Sequence, residues 1–169
     1  YQHRGRDMQS SVERYILPGR NVRMAETAAL LGRVQLSHLD EFLLRRRKIA
    51  SIYKRELANT PGLKLILPEA IESSTFWKVP LLLDPVIDRD SVVVKMATKG
   101  ISVDSAYQPA LHLQPVFQNL YGSSEGILPR SEVILSRHLC LPCHPRMSDK
   151  DVDYVLNSFK AIMSNSATA

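Results

Sequence analysis

Four groups able to bind a metal or exchange electrons fall within seven residues: His138, Cys140, Cys143 and His144. The C-x-x-C spacing is shared by zinc sites and redox pairs. A single short cluster closes a tetrahedral shell poorly, and no second cysteine pair exists elsewhere in the chain. Redox C-x-P-C pairs sit at a helix N-terminus, which sharpens the thiolate. Here the pair follows a strand-like run and Pro145 precedes any helix. Two buried structural thiols, with no metal, is the expectation. His112 lies between Pro109 and Pro115, near Tyr107 and Gln114. In such a stiff loop a histidine can meet a ligand oxygen or be an ordinary surface residue. Asn21 and Arg23 precede a long helical pattern. Arginine suits bidentate phosphate or carboxylate contact, and backbone amides at a helix start favour the same anion. Asn21 can equally be a helix cap. No Ser-His-Asp order, P-loop or G-x-G-x-x-G is present.

The elements that would position these groups follow from periodicity. Residues 1–23 read as an irregular arm with a Pro18-Gly19 turn signal. From Met24 to Ala58 apolar residues recur at helical spacing: Ala28, Leu31, Val34, Leu39, Phe42, Ile49, Ile52 or Tyr53, and Leu57. Asn59-Thr60-Pro61-Gly62 stops the pattern. One helix of that length would be a rod of about 50 Å, a linking element between domains. Beyond it, residues 61–169 alternate strand and helix signals. Phe76 to Leu83 and Ile101-Ser102-Val103 read as strands, and Leu139 to Pro142 as a short third. Asp88-Arg89-Asp90 opens a helix that Lys99-Gly100 closes. Another runs from Pro129 to Arg137, and Ser148 to Asp151 caps a last one ending near Met163. The expected fold is α/β (α+β): a small C-terminal domain with a few-stranded sheet and helices packed on it, plus a long N-terminal linking helix.

With 169 residues, 44% hydrophobic and 23% charged, the chain can bury a core without disulfides. It opens on Tyr1 rather than Met and reads as the later part of something longer. The longest apolar run, Val79 to Leu83, is far too short to span a bilayer, and the first residues carry no signal-peptide core. Cytoplasmic residence is the default. Residues 1–60 hold twelve Lys/Arg against six Asp/Glu, whereas residues 61–169 hold ten against eleven. The basic part could meet nucleic acid, acidic lipid or a phosphorylated small ligand. Much of it is the run Arg45-Arg46-Arg47-Lys48, whose expected role is a solvated helix face rather than a nucleic-acid surface.

These residues together resemble a known family. Gly19-Arg20-Asn21-Val22-Arg23-Met24, then Ala28-Ala29-Leu30-Leu31-Gly32 and Gln35-Leu36, are similar to a conserved stretch of the DegT/DnrJ/StrS sugar aminotransferases. Asp88-Arg89-Asp90, Lys99-Gly100-Ile101, Tyr107-Gln108-Pro109, Leu111-His112-Leu113-Gln114-Pro115 and Leu141 to Asp149 follow in the same order. The resemblance covers residues 18 to 160. Val22, Leu30-Leu31 and Ala110 depart mildly from the pattern.

The resemblance implies an aspartate aminotransferase-like fold, pyridoxal phosphate (PLP), and transfer of an amino group from a donor to a nucleotide-linked keto sugar in a homodimer. It implies that Asn21 reaches the cofactor phosphate of the neighbouring subunit and that Arg23 lies close by. Tyr107 and His112 would border the substrate. The family's PLP lysine lies upstream of this stretch, and no lysine here has its setting. The cofactor needs that lysine as covalent anchor and proton shuttle, so this chain alone is expected to be catalytically incomplete. The alternative expectation is a non-catalytic dimerisation or interaction module built on the long helix.

Overall fold

The computed structural model describes residue 9, residues 23–103 and residues 108–166. The chain divides into two units, Tyr1–Asp40 and Glu41–Ala169.

The described part of the first unit is dominated by α1 (Glu26–Ser37), whose N-cap is Ala25 with no side-chain cap. Asn21, the capping candidate, lies outside the described residues. No residue of α1 is buried; Leu30 is 64% and Leu31 62% exposed. The expected single helix from Met24 to Ala58 is in fact two. At His38 the backbone leaves helical geometry (φ −101°, ψ 2°), and its N–H turns back to Gln35 at 3.2 Å. Ser37 Oγ donates to the Val34 carbonyl at 2.7 Å, competing for the last turn. A new helix, α2 (Leu39–Leu57), starts at once.

The second unit is built on an antiparallel sheet in the order β1 (Leu63–Leu65), β2 (Val79–Leu83), β3 (His138–Leu141). Leu81 at its centre pairs with Leu65 on one side and Leu139 on the other. Val79, Leu81 and Leu83 are fully buried, while Pro80 and Leu82 between them are half-buried, as a period of two requires. Pro80 is tolerated in a central strand because of where β1 stops. Its carbonyl accepts from Ile66, the first residue past β1, and no ladder partner needs the missing N–H.

Ile49, Tyr53 and Leu57 of α2 enter one core with these strands. Val92 and Met96 of α3 (Arg89–Thr98) join them, as do Val152, Phe159 and Met163 of α6 (Asp149–Ser166). Asp88 caps α3 by accepting from the Asp90 N–H at 3.1 Å. Ser148 and Asp151 form a reciprocal capping box on α6: Ser148 Oγ accepts from the Asp151 N–H, and the Asp151 carboxylate accepts from the Ser148 N–H. Between them lie α4 (Pro115–Tyr121) and α5 (Pro129–Arg137).

Two strand expectations change. Phe76 sits at φ 46°, a left-handed conformation that breaks the extended run, so β2 begins only at Val79. Ile101-Ser102-Val103 forms no strand. Ile101 and Val103 are buried against the core, and the Ile101 N–H closes α3 on Met96 instead of joining a ladder. Among the described residues no helix is long and apolar enough to cross a membrane.

Candidate functional site

The His112 loop is the part of the described chain where a polar ring is held for use. Leu111–Leu113 make one 3-10 turn, with the Leu113 N–H on Ala110 and the Gln114 N–H on Leu111. Pro115 starts α4, and Gly122 ends it in the left-handed region at φ 64°. That reversal brings Ser123 back, and its hydroxyl donates to the His112 carbonyl at 2.5 Å. The chain turns again at Gly126 and enters α5, which puts Glu132 in the first helical turn. Glu132 Oε1 then accepts from His112 Nε2 at 2.8 Å. The same carboxylate takes the N–H groups of Gly126 (3.0 Å) and Leu128 (3.2 Å). The two side chains are 10% and 15% exposed. The His112 hydrogen bond holds the Glu132 carboxyl below the usual glutamate range against the opposing cost of burial; the Gly126 and Leu128 amides add to it.

Arg23 is exposed just ahead of α1 and belongs to the other unit. Asn21 and Tyr107 lie outside the described residues. Of the four expected site residues, then, His112 is the one whose setting is visible, and Glu132 and Ser123 were not anticipated. A sequence signal for Glu132 does exist: an acid in the first turn after Pro129.

Cavities open on this unit, one of them lined by Glu132 itself. One of about 170 Å³ lies beside Glu132, bounded by Gln108, Pro109, Leu113 and Glu125, smaller than the few hundred Å³ usual for ligand pockets (~300–1,000). A larger hollow of about 510 Å³ lies between Gly100, His144, Asp151 and Tyr154. A groove of about 390 Å³ runs over Ile66, Phe76, Trp77, Lys78 and Pro80.

PLP asks for a lysine amine, an anion cradle and an acid facing its ring nitrogen. Among the described lysines, Lys48 is paired with Asp149, Lys160 with Glu56, and Lys54 with the Glu69 carbonyl. Lys78 stands 4.5 Å over the Trp77 ring, in a groove without a carboxylate.

Arg45 to Lys48 are not the solvated face expected of them. Arg45 donates to the Met147 carbonyl at 3.0 Å and to Asp149 at 2.6 Å. Arg46 reaches the Phe76 carbonyl, Arg47 those of Ser74 and Glu72, and Lys48 binds Asp149. Guanidinium forks here satisfy loop carbonyls that no secondary structure serves. Cys140 and Cys143 are buried and not joined in a disulfide. Cys143 Sγ lies 3.6 Å from the Arg46 carbonyl. Burial pushes its thiol up to about 11, although Arg46 and Arg45 pull the other way. It is therefore protonated at neutral pH, the wrong state for a nucleophile. No group of three or more potential metal ligands occurs among the described residues.

Comparison with known proteins gives this geometry a context. Residues 1–160 match the model of the DegT/DnrJ/EryC1/StrS aminotransferase family. The dTDP-4-dehydro-2,3,6-trideoxy-D-glucose 4-aminotransferase of Saccharopolyspora spinosa is 38% identical over 138 residues, which is 80% of this chain and 34% of that protein. The aminotransferase TlmJ from Streptoalloteichus hindustanus superposes with a TM-score of 0.78 at 30% identity, over 95% of this chain and 42% of that one. Spr1654 from Streptococcus pneumoniae, solved in a PLP form, superposes with a TM-score of 0.83 at 24% identity, over 98% of this chain and 42% of that one. The chain spans 34% of the curated relative and 42% of each of these two structures.

Proposed function

Because this chain belongs to the DegT/DnrJ/EryC1/StrS aminotransferase family, we propose that it is the C-terminal part of a PLP-dependent aminotransferase acting on nucleotide-linked keto sugars. The observation that carries the reading is the match over residues 1–160 by a chain that spans only 34–42% of its relatives. In the complete homodimer, Asn21 contacts the cofactor phosphate of the neighbouring subunit and Arg23 an adjacent anionic group. Tyr107 and His112 form the wall against the sugar nucleotide. When bound, PLP stabilises the negative charge that develops as the amino group moves. This chain's share is to bind and orient; the lysine and the acid facing the ring nitrogen come from elsewhere in the complete protein.

The test is addition of PLP to the purified chain, followed by borohydride trapping and peptide mapping. No lysine labelled above background is the expected result. One lysine labelled stoichiometrically would overturn the reading, because it would reveal a cofactor site within the chain.

A second reading, a dimerisation or interaction module, is favoured by one observation. The helix α1 exposes Leu30, Leu31, Val34 and Leu36 and buries nothing, and an apolar stripe of that kind seeks a partner. A strict monomer in sedimentation at high concentration would exclude it.

A further inference from the structure

We infer that Glu132 is the positioning residue for His112: it holds Nε2 as a permanent hydrogen-bond donor, so the ring takes up and releases a proton only at Nδ1. The inference deepens the proposed function and rests on its placing of His112 at the substrate wall.

An ionised carboxylate can only accept hydrogen bonds. Three donors converge on Glu132: Nε2 of His112 at 2.8 Å and the backbone N–H groups of Gly126 and Leu128. Backbone N–H groups cannot change role, so the carboxylate stays an acceptor and the imidazole must supply the proton on Nε2. That requirement is the same for the neutral ring and for the imidazolium. What varies is Nδ1, which has no hydrogen-bond partner among the described residues and is a lone pair in one state and an N–H in the other. The backbone that carries the ring is held in place. Its carbonyl is tied to Ser123, and its turn is closed by the Leu113 N–H on Ala110. Shielding of both side chains from water strengthens the pairing. Among the described residues, Glu125 is the other acid lining the cavity beside Glu132.

For the chemistry proposed above the consequence is specific. A neutral His112 accepts from a sugar or ribose hydroxyl at Nδ1, whereas a charged one donates to a carbonyl or phosphate oxygen there. Without Glu132 the ring would divide between two tautomers, and a fraction of molecules would present the wrong group.

Nitrogen-15 NMR of histidine-labelled chain tests this, with His112 assigned by H112Q. The expected wild-type spectrum shows Nε2 protonated throughout a pH titration and Nδ1 alone changing state. The Nε2-bound proton should exchange slowly with solvent. E132A should give averaged signals from both nitrogens and fast exchange, and E132Q, which keeps the acceptor oxygen, should restore the wild-type pattern. If Glu132 merely stapled residues 126–128, E132A would move those backbone amides and leave the imidazole signals unchanged, and the proposal would fall. A tautomer mixture in the wild-type chain would overturn it equally, even if E132A did not fold. Excess thymidine-diphosphate-glucose separates this inference from the reading beneath it. A locked ring whose Nδ1 signal ignores the sugar nucleotide supports the positioning role and counts against His112 as part of the substrate wall.

Discussion

Tyr53→Phe isolates one bond that ties α2 to the end of the sheet. Tyr53 is fully buried, and its hydroxyl donates to the Pro142 carbonyl at 2.9 Å. Burial first, and then the nearby Cys143, raises its pKa, so the phenol remains a donor across the accessible pH range. Phenylalanine keeps the ring and its packing, so no large cavity opens. What is lost is one hydrogen bond, with a carbonyl left unmet, at a cost of about 1–3 kcal/mol. Pro142 itself is only half-buried, and water reaching its carbonyl brings the expected loss to about 1–2 kcal/mol. Tyr53→Ala, which also removes the ring, should cost about 3–5 kcal/mol. Urea unfolding followed by far-UV circular dichroism reads both. The expected result is a lower midpoint with an unchanged slope, and a fall in Tm of about 3–8 °C for the phenylalanine variant. A Tyr53→Phe midpoint equal to wild type would refute the claim that this hydroxyl fastens helix to strand.

Asp149 gives a pH signature. Its carboxyl is held below the usual range, first by the Arg45 hydrogen bond and then by Lys48. A folded-state pKa below the unfolded value means stability that is present above the unfolded value and lost as pH falls through the folded one. Asp149→Asn should therefore be less stable than wild type at neutral pH, and the gap in Tm should close as pH is lowered below about 4; a gap that persists at pH 2 would contradict the ion pair. Cys143, with its thiol pushed up to about 11, should resist alkylation in the folded chain. At pH 8 its iodoacetamide labelling should be slower than in urea by about two orders of magnitude from thiolate population alone. Labelling as fast in the folded chain as in urea would show that the cysteine is not buried as described.

Local signals were legible wherever a cap or a proline made them so. Asp88 and Gly100 bound α3, Pro129 opens α5 and Ser148 caps α6, each at the expected place. The end of α4 could have been read from Pro115 and Gly122, which stand at its first and just-past-last positions. What depends on distant partners was not legible. Nothing in the smooth helical periodicity from Met24 to Ala58 marks a break, and the Ser37-His38 turn uses two residues that helices otherwise tolerate. The Arg45 to Lys48 run looks like a solvated face until the carbonyls of Glu72, Ser74, Phe76 and Met147 are brought to it. For the same reason His112 could be singled out by its stiff loop, while its pairing with Glu132, twenty residues later, could not be read from that acid's place after Pro129.

The second unit is fastened in two different ways, and the difference bears on function. Its framework is stitched redundantly: three arginines of α2 reach four separate backbone carbonyls, Lys48 shares Asp149 with Arg45, and Tyr53 adds Pro142. Losing any one of these leaves the others, and the apolar core beneath them is continuous from Ile49 to Met163. The loop that carries His112 has fewer ties: Ser123 on the His112 carbonyl, Gln114 on the Pro109 carbonyl, and one carboxylate on which the imidazole and two backbone amides converge. A change at Glu132 therefore acts on the site with little effect on the core, whereas a change in the arginine run acts on the framework first. That separation would let the His112 loop change without the fold having to be rebuilt. It also means that the proton state of one glutamate sets how well the site is ordered.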